Sequence, residues 1–125
     1  RLVKKNLPSN VEFPGYIKGD IYEGAMTASD VFFFPSHEET EGIVVLEALA
    51  SGQNVVARDI PVYGGWLDNT AATLVSTNED FVSALRGVLD GKIDKKEAGH
   101  RVAESRSIES ISTQLVAAYQ QVLDS

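Results

Sequence analysis

HEETEGIVVLEALAS, residues His37–Ser51, is the segment that decides the fold of this chain. It follows an apolar run, Val31–Phe34, and its pattern predicts a helix from about Gly42 to Ala50. A strand that leads directly into a helix leaves the first N–H groups of that helix without backbone acceptors. These donors and the positive end of the helix dipole form a seat for a phosphate group. Gly42 has no Cβ, so a ligand could approach the backbone closely there.

Two glutamates stand in or beside this helix, Glu39 in the loop and Glu47 just over one turn into the helix. On spacing alone, the simpler interpretation is a solvated loop carboxylate and a carboxylate on the helix surface. Glutamates at this separation are common by chance, so the neighbouring residues have to decide whether the pair forms a binding site.

The composition of the 125 residues limits the classes of function. A formal net charge of −7 argues against a nucleic-acid partner, which requires a basic surface. The chain has no cysteine, which is compatible with a reducing cytoplasm, and no apolar run as long as a transmembrane helix. The length suits one domain, residues 1–125. Because the first residue is Arg1 rather than methionine, we expect the chain to be part of a longer protein.

Short apolar segments alternate with helical patterns in the first part of the chain. The predicted strands are Val11–Phe13, Val31–Phe34, Asn54–Ala57 and Ala71–Val75, and a helix is predicted at Gly19–Ala28. Val31–Phe34 is continuously apolar, which is typical of a strand buried on both faces. Strands separated by helices at this spacing indicate βαβ units, and therefore an α/β fold with a parallel sheet of about four strands.

Further helices have predicted apolar faces. The helix after Gly42 should turn Ile43, Val44, Leu46 and Leu49 inward. Beyond the last strand, caps at Thr77, Asp94 and Ser107 predict three more helices, which form a helical C-terminal tail. The last helix carries an apolar stripe formed by Ile108, Ile111, Leu115, Tyr119 and Val122. We expect this stripe to pack in a core rather than to bind a cofactor.

The residues around the two glutamates resemble the Glu-x7-Glu signature of retaining GT-B glycosyltransferases. The matching positions are Pro35, Ser36, Glu39, Glu47, Ala48, Ala50, Ser51 and Gly52, with further matches at 11–15, 29–30 and 54–57. The run EETEGIVVLEALASGQ, followed by ARDIPVYGGWL, is most similar to bacterial diacylglycerol glucosyltransferases. Many members have glycine–aromatic–glycine after the first glutamate. This chain has Thr40-Glu41-Gly42 there and keeps only the last glycine.

The resemblance implies the C-terminal Rossmann-like domain of a GT-B enzyme, which binds the nucleotide-sugar donor. The four predicted strands would be strands three to six of a sheet in the order 3-2-1-4-5-6, with the first two strands and the N-terminal acceptor domain absent. Two arrangements remain open for the edge of Val31–Phe34 that this leaves bare. Either Val11–Phe13 pairs with it directly, or a second chain covers it and forms an oligomer.

The same resemblance assigns roles to both glutamates. Glu47 would accept hydrogen bonds from the ribose hydroxyls, because a carboxylate can take two donors at once. Glu39 would hold the hydroxyls of the donor sugar and is the candidate catalytic residue.

The remaining candidate donor-binding residues surround the phosphate and the base. The backbone amides of Gly42, Ile43 and Val44 would take the distal phosphate, with Ser36 in the same loop. The base would lie near the turn at Gly15 and Tyr16, although these two residues alone are equally compatible with a plain turn. No metal and no cofactor is expected.

The charges at this helix start oppose an anionic diphosphate. Glu38, Glu39 and Glu41 crowd the segment, and a carboxylate about 4 Å from a phosphate repels it by roughly 1 kcal/mol in water. In the family, the compensating cations are an arginine and a lysine after the first strand of the domain. Lys18 and Arg58 are the local candidates, but a solvated surface role is the simpler expectation for each.

The predicted function is donor binding in a retaining glycosyltransferase that transfers glucose from UDP-glucose to a lipid such as diacylglycerol. The longer protein would be the enzyme, cytoplasmic or peripheral on the inner face of the plasma membrane, with the lipid acceptor bound through the missing domain. This chain alone should be inactive. The alternative is a non-catalytic GT-B-like subunit, or a partner of another glycosyltransferase.

Overall fold

The computed structural model describes residues 7–125. Within them, three strands form one parallel sheet: β1 (Phe32–Phe34), β2 (Val55–Arg58) and β3 (Thr73–Val75), in the order β1-β2-β3. The helices are α1 (Gly19–Ala28), α2 (Ile43–Ala50), α3 (Asn78–Leu89), α4 (Lys96–Ser105) and α5 (Ile108–Leu123), with a short 3-10 helix at Pro61–Tyr63. The predicted α/β fold with a parallel sheet is confirmed, and it is a partial Rossmann-like arrangement.

The core is divided between the two faces of β2. Successive side chains of a strand point to opposite faces. Val55 and Ala57 therefore join the α2 side of the core, while Val56 packs with α3 on the other side. All three side chains are at most 1% exposed. The central strand of this sheet is thus the one that is covered on both faces.

The predicted strand at Val11–Phe13 is not formed. The N–H of Val11 donates to the carbonyl of Pro8 in a turn at 3.1 Å, and the side chains of Val11 and Phe13 are 43% and 49% exposed. Pro14, which has no N–H and a fixed φ, ends this segment immediately. A strand forms only when its backbone hydrogen-bonds to a neighbouring strand, so the strand propensity of these residues was not sufficient to form one.

The outer edge of β1 is consequently open. Within residues 7–125, β1 pairs with β2 alone, so the expected direct closure by Val11–Phe13 is wrong. Burial of β1 on both faces is also wrong, because Phe33 is 46% exposed, although its ring meets that of Phe81 in a T-shaped pair with 5.1 Å between centroids. The alternative, in which a second chain covers this edge, stays a prediction.

Two of the three predicted helix caps form, at Thr77 and Ser107, whereas the predicted cap at Asp94 is wrong because the N-cap of α4 is Lys95, which makes no side-chain cap hydrogen bond. The side chain of Thr77 accepts a hydrogen bond from the N–H of Asp80 at 3.1 Å, and that of Ser107 accepts from Ser110 at 3.2 Å. The inward face of α2 agrees with the prediction at Leu49, which is buried, and at Val44, which is partly buried against the core, but it differs at Ile43. Its buried residues are Val45, Ala48 and Leu49, whereas Ile43 is 55% exposed.

Candidate functional site

The loop between β1 and α2 ends on a left-handed residue. Gly42 is the N-cap of α2 at φ 75° and ψ 25°, and its carbonyl accepts from the N–H groups of Val45 and Leu46 at 3.0 and 3.2 Å. Among the described residues no side chain caps this helix. The N–H groups of Ile43 and Val44 belong to the first turn and have no intrahelical acceptor. The sequence predicts that these N–H groups donate hydrogen bonds to a phosphate group.

Gly42 is also required by the space around it. A Cβ at this position would lie 3.0 Å from Cε1 of Tyr63 and 3.3 Å from Cζ2 of Trp66. The two rings meet edge to face, with 5.6 Å between their centroids. The end of the loop at Gly42 therefore packs against the rings of Tyr63 and Trp66, which belong to the segment after β2.

Glu39 lies on the open side of this loop. Its Oε1 accepts a hydrogen bond from the N–H of Thr40 at 2.8 Å, and the side chain is exposed. Within the loop, the hydroxyl of Ser36 donates a hydrogen bond to the carbonyl of Glu38 at 2.8 Å. An open groove of about 300 Å³ runs beside the loop and is lined by His37, Glu38, Glu39, Ile60, Pro61 and Val62. The geometry leaves the Glu39 carboxylate accessible to a ligand in that groove.

Glu47 faces a different groove, between α1 and α2. Its Oε2 accepts a hydrogen bond from the hydroxyl of Tyr22. This bond, followed by partial burial and the charge of Glu47, raises the pKa of Tyr22 to about 12. The groove has a volume of about 340 Å³ and is lined by Tyr22, Glu23, Met26, Glu47, Ala50 and Ser51. The two glutamates therefore line two separate grooves.

The turn at Gly15 and Tyr16 stands apart from both grooves. Gly15 has a φ of 77°, and Tyr16 is 89% exposed, with the ammonium of Lys18 5.1 Å from its ring centroid. The structure thus brings Ser36 and Glu39 together in the loop that leads into α2, and Glu47 lies just over one helical turn beyond the start of α2. The segment at Gly15 and Tyr16 is exposed to solvent and lines neither groove.

Arg58 has a structural role that the sequence did not indicate. Its Nε donates to the carbonyl of Pro35 at 3.0 Å and its Nη1 to that of Ser76 at 2.9 Å. The guanidinium also lies over the Phe81 ring, 5.1 Å from its centroid. Arg58 is half-buried and ties together the segments that follow β1 and β3, so the expected solvated surface role is wrong.

Sequence reasoning missed Tyr63 as a member of this site. It is 1% exposed, and its hydroxyl is buried without a hydrogen-bond partner in the described part of the chain. Burial, and then the negative charge of Glu39, raises the pKa of Tyr63 to about 12. A tyrosine between a valine and two glycines carries no signal of this kind, because its place under the loop comes from tertiary packing.

Residues 7–125 contain neither a cluster of metal-binding side chains nor a membrane-spanning helix. No group of three or more His, Asp or Glu residues in 7–125 is arranged to hold a metal ion. None of the helices in that range is long and apolar enough to cross a membrane.

Comparisons with known proteins agree with the fold. Residues 2–105 match the model of a family described as glycosyl transferases group 1. The processive diacylglycerol alpha-glucosyltransferase of Acholeplasma laidlawii is 46% identical over 121 residues, which is 95% of this chain and 36% of the relative.

Two more distant relatives extend the range. The phosphatidyl-myo-inositol mannosyltransferase of Mycolicibacterium smegmatis is 29% identical over 94% of this chain and 32% of its own length. The D-inositol 3-phosphate glycosyltransferase of Geodermatophilus obscurus is 37% identical over 74% of this chain and 21% of its own length. The chain spans about a third or less of these curated relatives. The resemblance carried by the Glu-x7-Glu segment is confirmed, and the chain belongs to the glycosyl transferases group 1 family.

Proposed function

We propose that this chain is the donor-binding part of a retaining glycosyltransferase and holds a nucleotide-sugar, UDP-glucose, between α1 and the β1–α2 loop. The observation that carries the proposal is the uncapped start of α2 at Gly42, with Glu39 before it and Glu47 after it. The match of residues 2–105 to the glycosyl transferases group 1 family supports it.

The phosphates are assigned to the start of α2. Free N–H groups and the helix dipole favour an anion there, and the left-handed Gly42 leaves the backbone accessible. The exposed carboxylates of Glu38, Glu39 and Glu41 act against this. Arg58 cannot offset them freely, since its guanidinium is already bound to two backbone carbonyls. We assign the compensating cations to a part of the protein outside this chain.

The two ends of the donor are assigned to the two glutamates. Glu47 accepts hydrogen bonds from the ribose diol in the groove that it shares with Tyr22, and the base extends towards Gly15 and Tyr16. Glu39 holds the sugar hydroxyls in the groove on the other side of the helix start. This arrangement separates nucleotide binding from sugar positioning.

Our proposals for the acceptor and the domain organisation are supported by the names of the relatives. The relative from Acholeplasma laidlawii is named for the transfer of glucose to diacylglycerol, and the one from Mycolicibacterium smegmatis for a phosphatidyl-inositol acceptor. We assign residues 1–125 to the C-terminal domain of a longer enzyme whose other domain binds a lipid acceptor at the cytoplasmic face of a membrane. The exposed stripe on α5 would pack against that other domain.

Calorimetry of the longer enzyme with UDP tests the ribose assignment. Glu47→Gln should weaken UDP binding by about 1.5–3 kcal/mol, the usual scale for a hydrogen bond to a charged group. Circular dichroism should show an unchanged fold. Glu23→Gln is the matched control, because Glu23 lines the same groove without binding Tyr22. Unaltered UDP affinity in Glu47→Gln would contradict the assignment.

Kinetics of the longer enzyme test Glu39. Glu39→Gln should reduce kcat for glucose transfer while UDP affinity stays near the wild-type value, because the side chain addresses the sugar rather than the nucleotide. Glu38→Gln, at the neighbouring exposed position, serves as the control. Full activity of Glu39→Gln would remove this residue from the catalytic site.

A further inference from the structure

One hydrogen bond connects the proposed ribose carboxylate to another helix. Tyr22, on α1, donates its hydroxyl proton to Oε2 of Glu47, on α2, across 25 positions of sequence. The ring of Tyr22 is half-buried and packs against the core, whereas the side chain of Glu47 is exposed. The hydrogen bond from the half-buried Tyr22 therefore restricts the Glu47 side chain, which would otherwise sample several rotamers in water.

The bond leaves capacity for a ligand. An ionised carboxylate offers about four acceptor positions on two oxygens, and a phenol can donate only one proton. With Tyr22 on Oε2, the carboxylate keeps acceptor positions on both oxygens that no other hydrogen bond in the described residues uses, and Glu47 lines the groove between α1 and α2. Two neighbouring hydroxyl donors are the ligand chemistry that this remaining capacity suits.

Holding the carboxylate also reduces the cost of binding. A glutamate side chain loses up to roughly 2 kcal/mol of rotamer freedom when it is fixed. If Tyr22 has already fixed it in the unbound protein, the ligand does not have to supply that free energy. Tyr22 is protonated at neutral pH, as any tyrosine is, and therefore serves as a donor; the hydrogen bond to Glu47 raises its pKa further, to about 12.

We propose that Tyr22 is a positioning residue that fixes the Glu47 carboxylate for recognition of the vicinal diol of a ribose. This inference rests on the proposed donor-binding function and names the residue that makes Glu47 selective for ribose over sugars that lack those hydroxyls.

A purely structural role for the same bond has different consequences. Few contacts hold α1: Met26 is its only buried residue, and the side chain of Gln53 donates to the carbonyl of Thr27 near its end at 3.3 Å. If Tyr22 only tied α1 to α2, its removal would lower stability or weaken every nucleotide equally. If it positions Glu47, its removal changes the ratio of affinities for ligands with and without the diol.

The experiment therefore compares binding of UDP and of 2′,3′-dideoxy-UDP to the longer enzyme by calorimetry. Wild type should prefer UDP by roughly 10-fold or more, because hydrogen bonds from both hydroxyls to a carboxylate are lost in the analogue. Tyr22→Phe, which removes only the phenol oxygen, should weaken UDP binding by about 3- to 10-fold and leave binding of the dideoxy analogue unchanged. Tyr119→Phe, at an exposed position on α5, is the matched control and should keep the wild-type ratio.

A double-variant cycle shows whether Tyr22 acts through Glu47. In a Glu47→Gln background, Tyr22→Phe should produce no further change in the UDP to dideoxy-UDP ratio, because both variants break the same interaction. Independent effects of the two substitutions on that ratio would overturn the inference.

The remaining outcomes are separable. If wild type binds UDP and prefers it, but Tyr22→Phe keeps the preference, the positioning role is overturned while the donor site stands. If Tyr22→Phe loses the folded state by circular dichroism, the bond is structural and the proposal is again overturned. If wild type binds neither UDP nor UDP-glucose, the proposed function itself fails, and this inference fails with it.

Discussion

Helices α2 and α5 both carry apolar residues at helical spacing, but the fold treats them in opposite ways. Val45, Ala48 and Leu49 of α2 are completely buried. On α5 no residue is buried, and its apolar side chains range from 44% exposed at Ile111 to 88% exposed at Ile108. Contrary to the expected core packing, the α5 stripe is not part of the core of the described residues, whereas packing of this helix against another domain stays a prediction.

The difference lies in what covers each helix. Helix α2 is enclosed between the sheet and α4, and Gly99 of α4 lets the two helices approach closely. A Cβ at Gly99 would lie 2.6 Å from Cδ2 of Leu49 and 3.0 Å from the carbonyl oxygen of Ala71. Helix α5 follows α4 directly and extends away from this core. Apolar residues at helical spacing predict which face of a helix would be buried, but not whether another element is present to bury it.

Truncation of Leu49 should give the largest effect. Leu49→Ala removes a completely buried side chain between α2 and α4 and should lower the free energy of unfolding by about 3 kcal/mol. Urea denaturation followed by circular dichroism measures this loss. Leu115→Ala makes the same chemical change on α5, where the side chain is 55% exposed, and should cost far less. Equal losses at the two positions would contradict the comparison.

The close approach of α4 to α2 predicts the next effect. Gly99→Ala should destabilise the fold by about 2 kcal/mol, because the new methyl group meets a backbone carbonyl as well as Leu49. Gly24→Ala in α1 is the control, since nothing lies within 4 Å of a Cβ there. That variant should instead be more stable by up to about 1 kcal/mol through helix propensity. A neutral Gly99→Ala would show that α4 can move away from α2 at little cost.

The tyrosine beneath the start of α2 predicts an alkaline instability. The pKa of Tyr63 is raised to about 12, above the ordinary value of 10.0 that applies in the unfolded chain. Between these values the folded state binds more protons than the unfolded state, so stability falls as pH rises from 10 to 12. The slope contributed by Tyr63 should approach about 1.4 kcal/mol per pH unit.

Denaturation of Tyr63→Phe at several pH values isolates this contribution. The variant should lose the part of the slope that belongs to Tyr63. At pH 7 it should be at least as stable as wild type, because the hydroxyl removed is buried without a partner. A clear loss of stability at pH 7 would mean that this hydroxyl makes a favourable interaction.

Polar substitution of the α5 stripe should have the smallest effect. Leu115→Ser and Val116→Ser change side chains that are 55% and 68% exposed, so the free energy of unfolding of this chain should shift by no more than about 0.5 kcal/mol. In the longer enzyme, the same substitutions should be more destabilising if another domain covers the stripe. Equal, negligible shifts in both proteins would contradict our placement of α5 against that domain.

The sequence by itself determined the features that depend on neighbouring residues. The caps at Thr77 and Ser107 form as predicted, because donor and acceptor are three residues apart. Gly42 is left-handed where the strand turns into α2, and α1 begins and ends at the predicted residues. The identity of the family was also legible, since the Glu-x7-Glu segment is a continuous stretch.

Tertiary structure decided everything that requires a partner distant in sequence. Val11–Phe13 has strand propensity but is not a strand of the sheet in the described residues, and within that same range α5 has an apolar stripe with no buried residue. Tyr22 reaches Glu47, and Tyr63 reaches the underside of the β1–α2 loop, only because packing brings those segments together. Propensity and capping act over a few residues, whereas pairing, burial and these two tyrosine contacts depend on which surfaces meet. Both glutamates are therefore candidates that the sequence offers by itself, whereas the fold supplied Tyr22 against Glu47 and Tyr63 beneath the loop that carries Glu39.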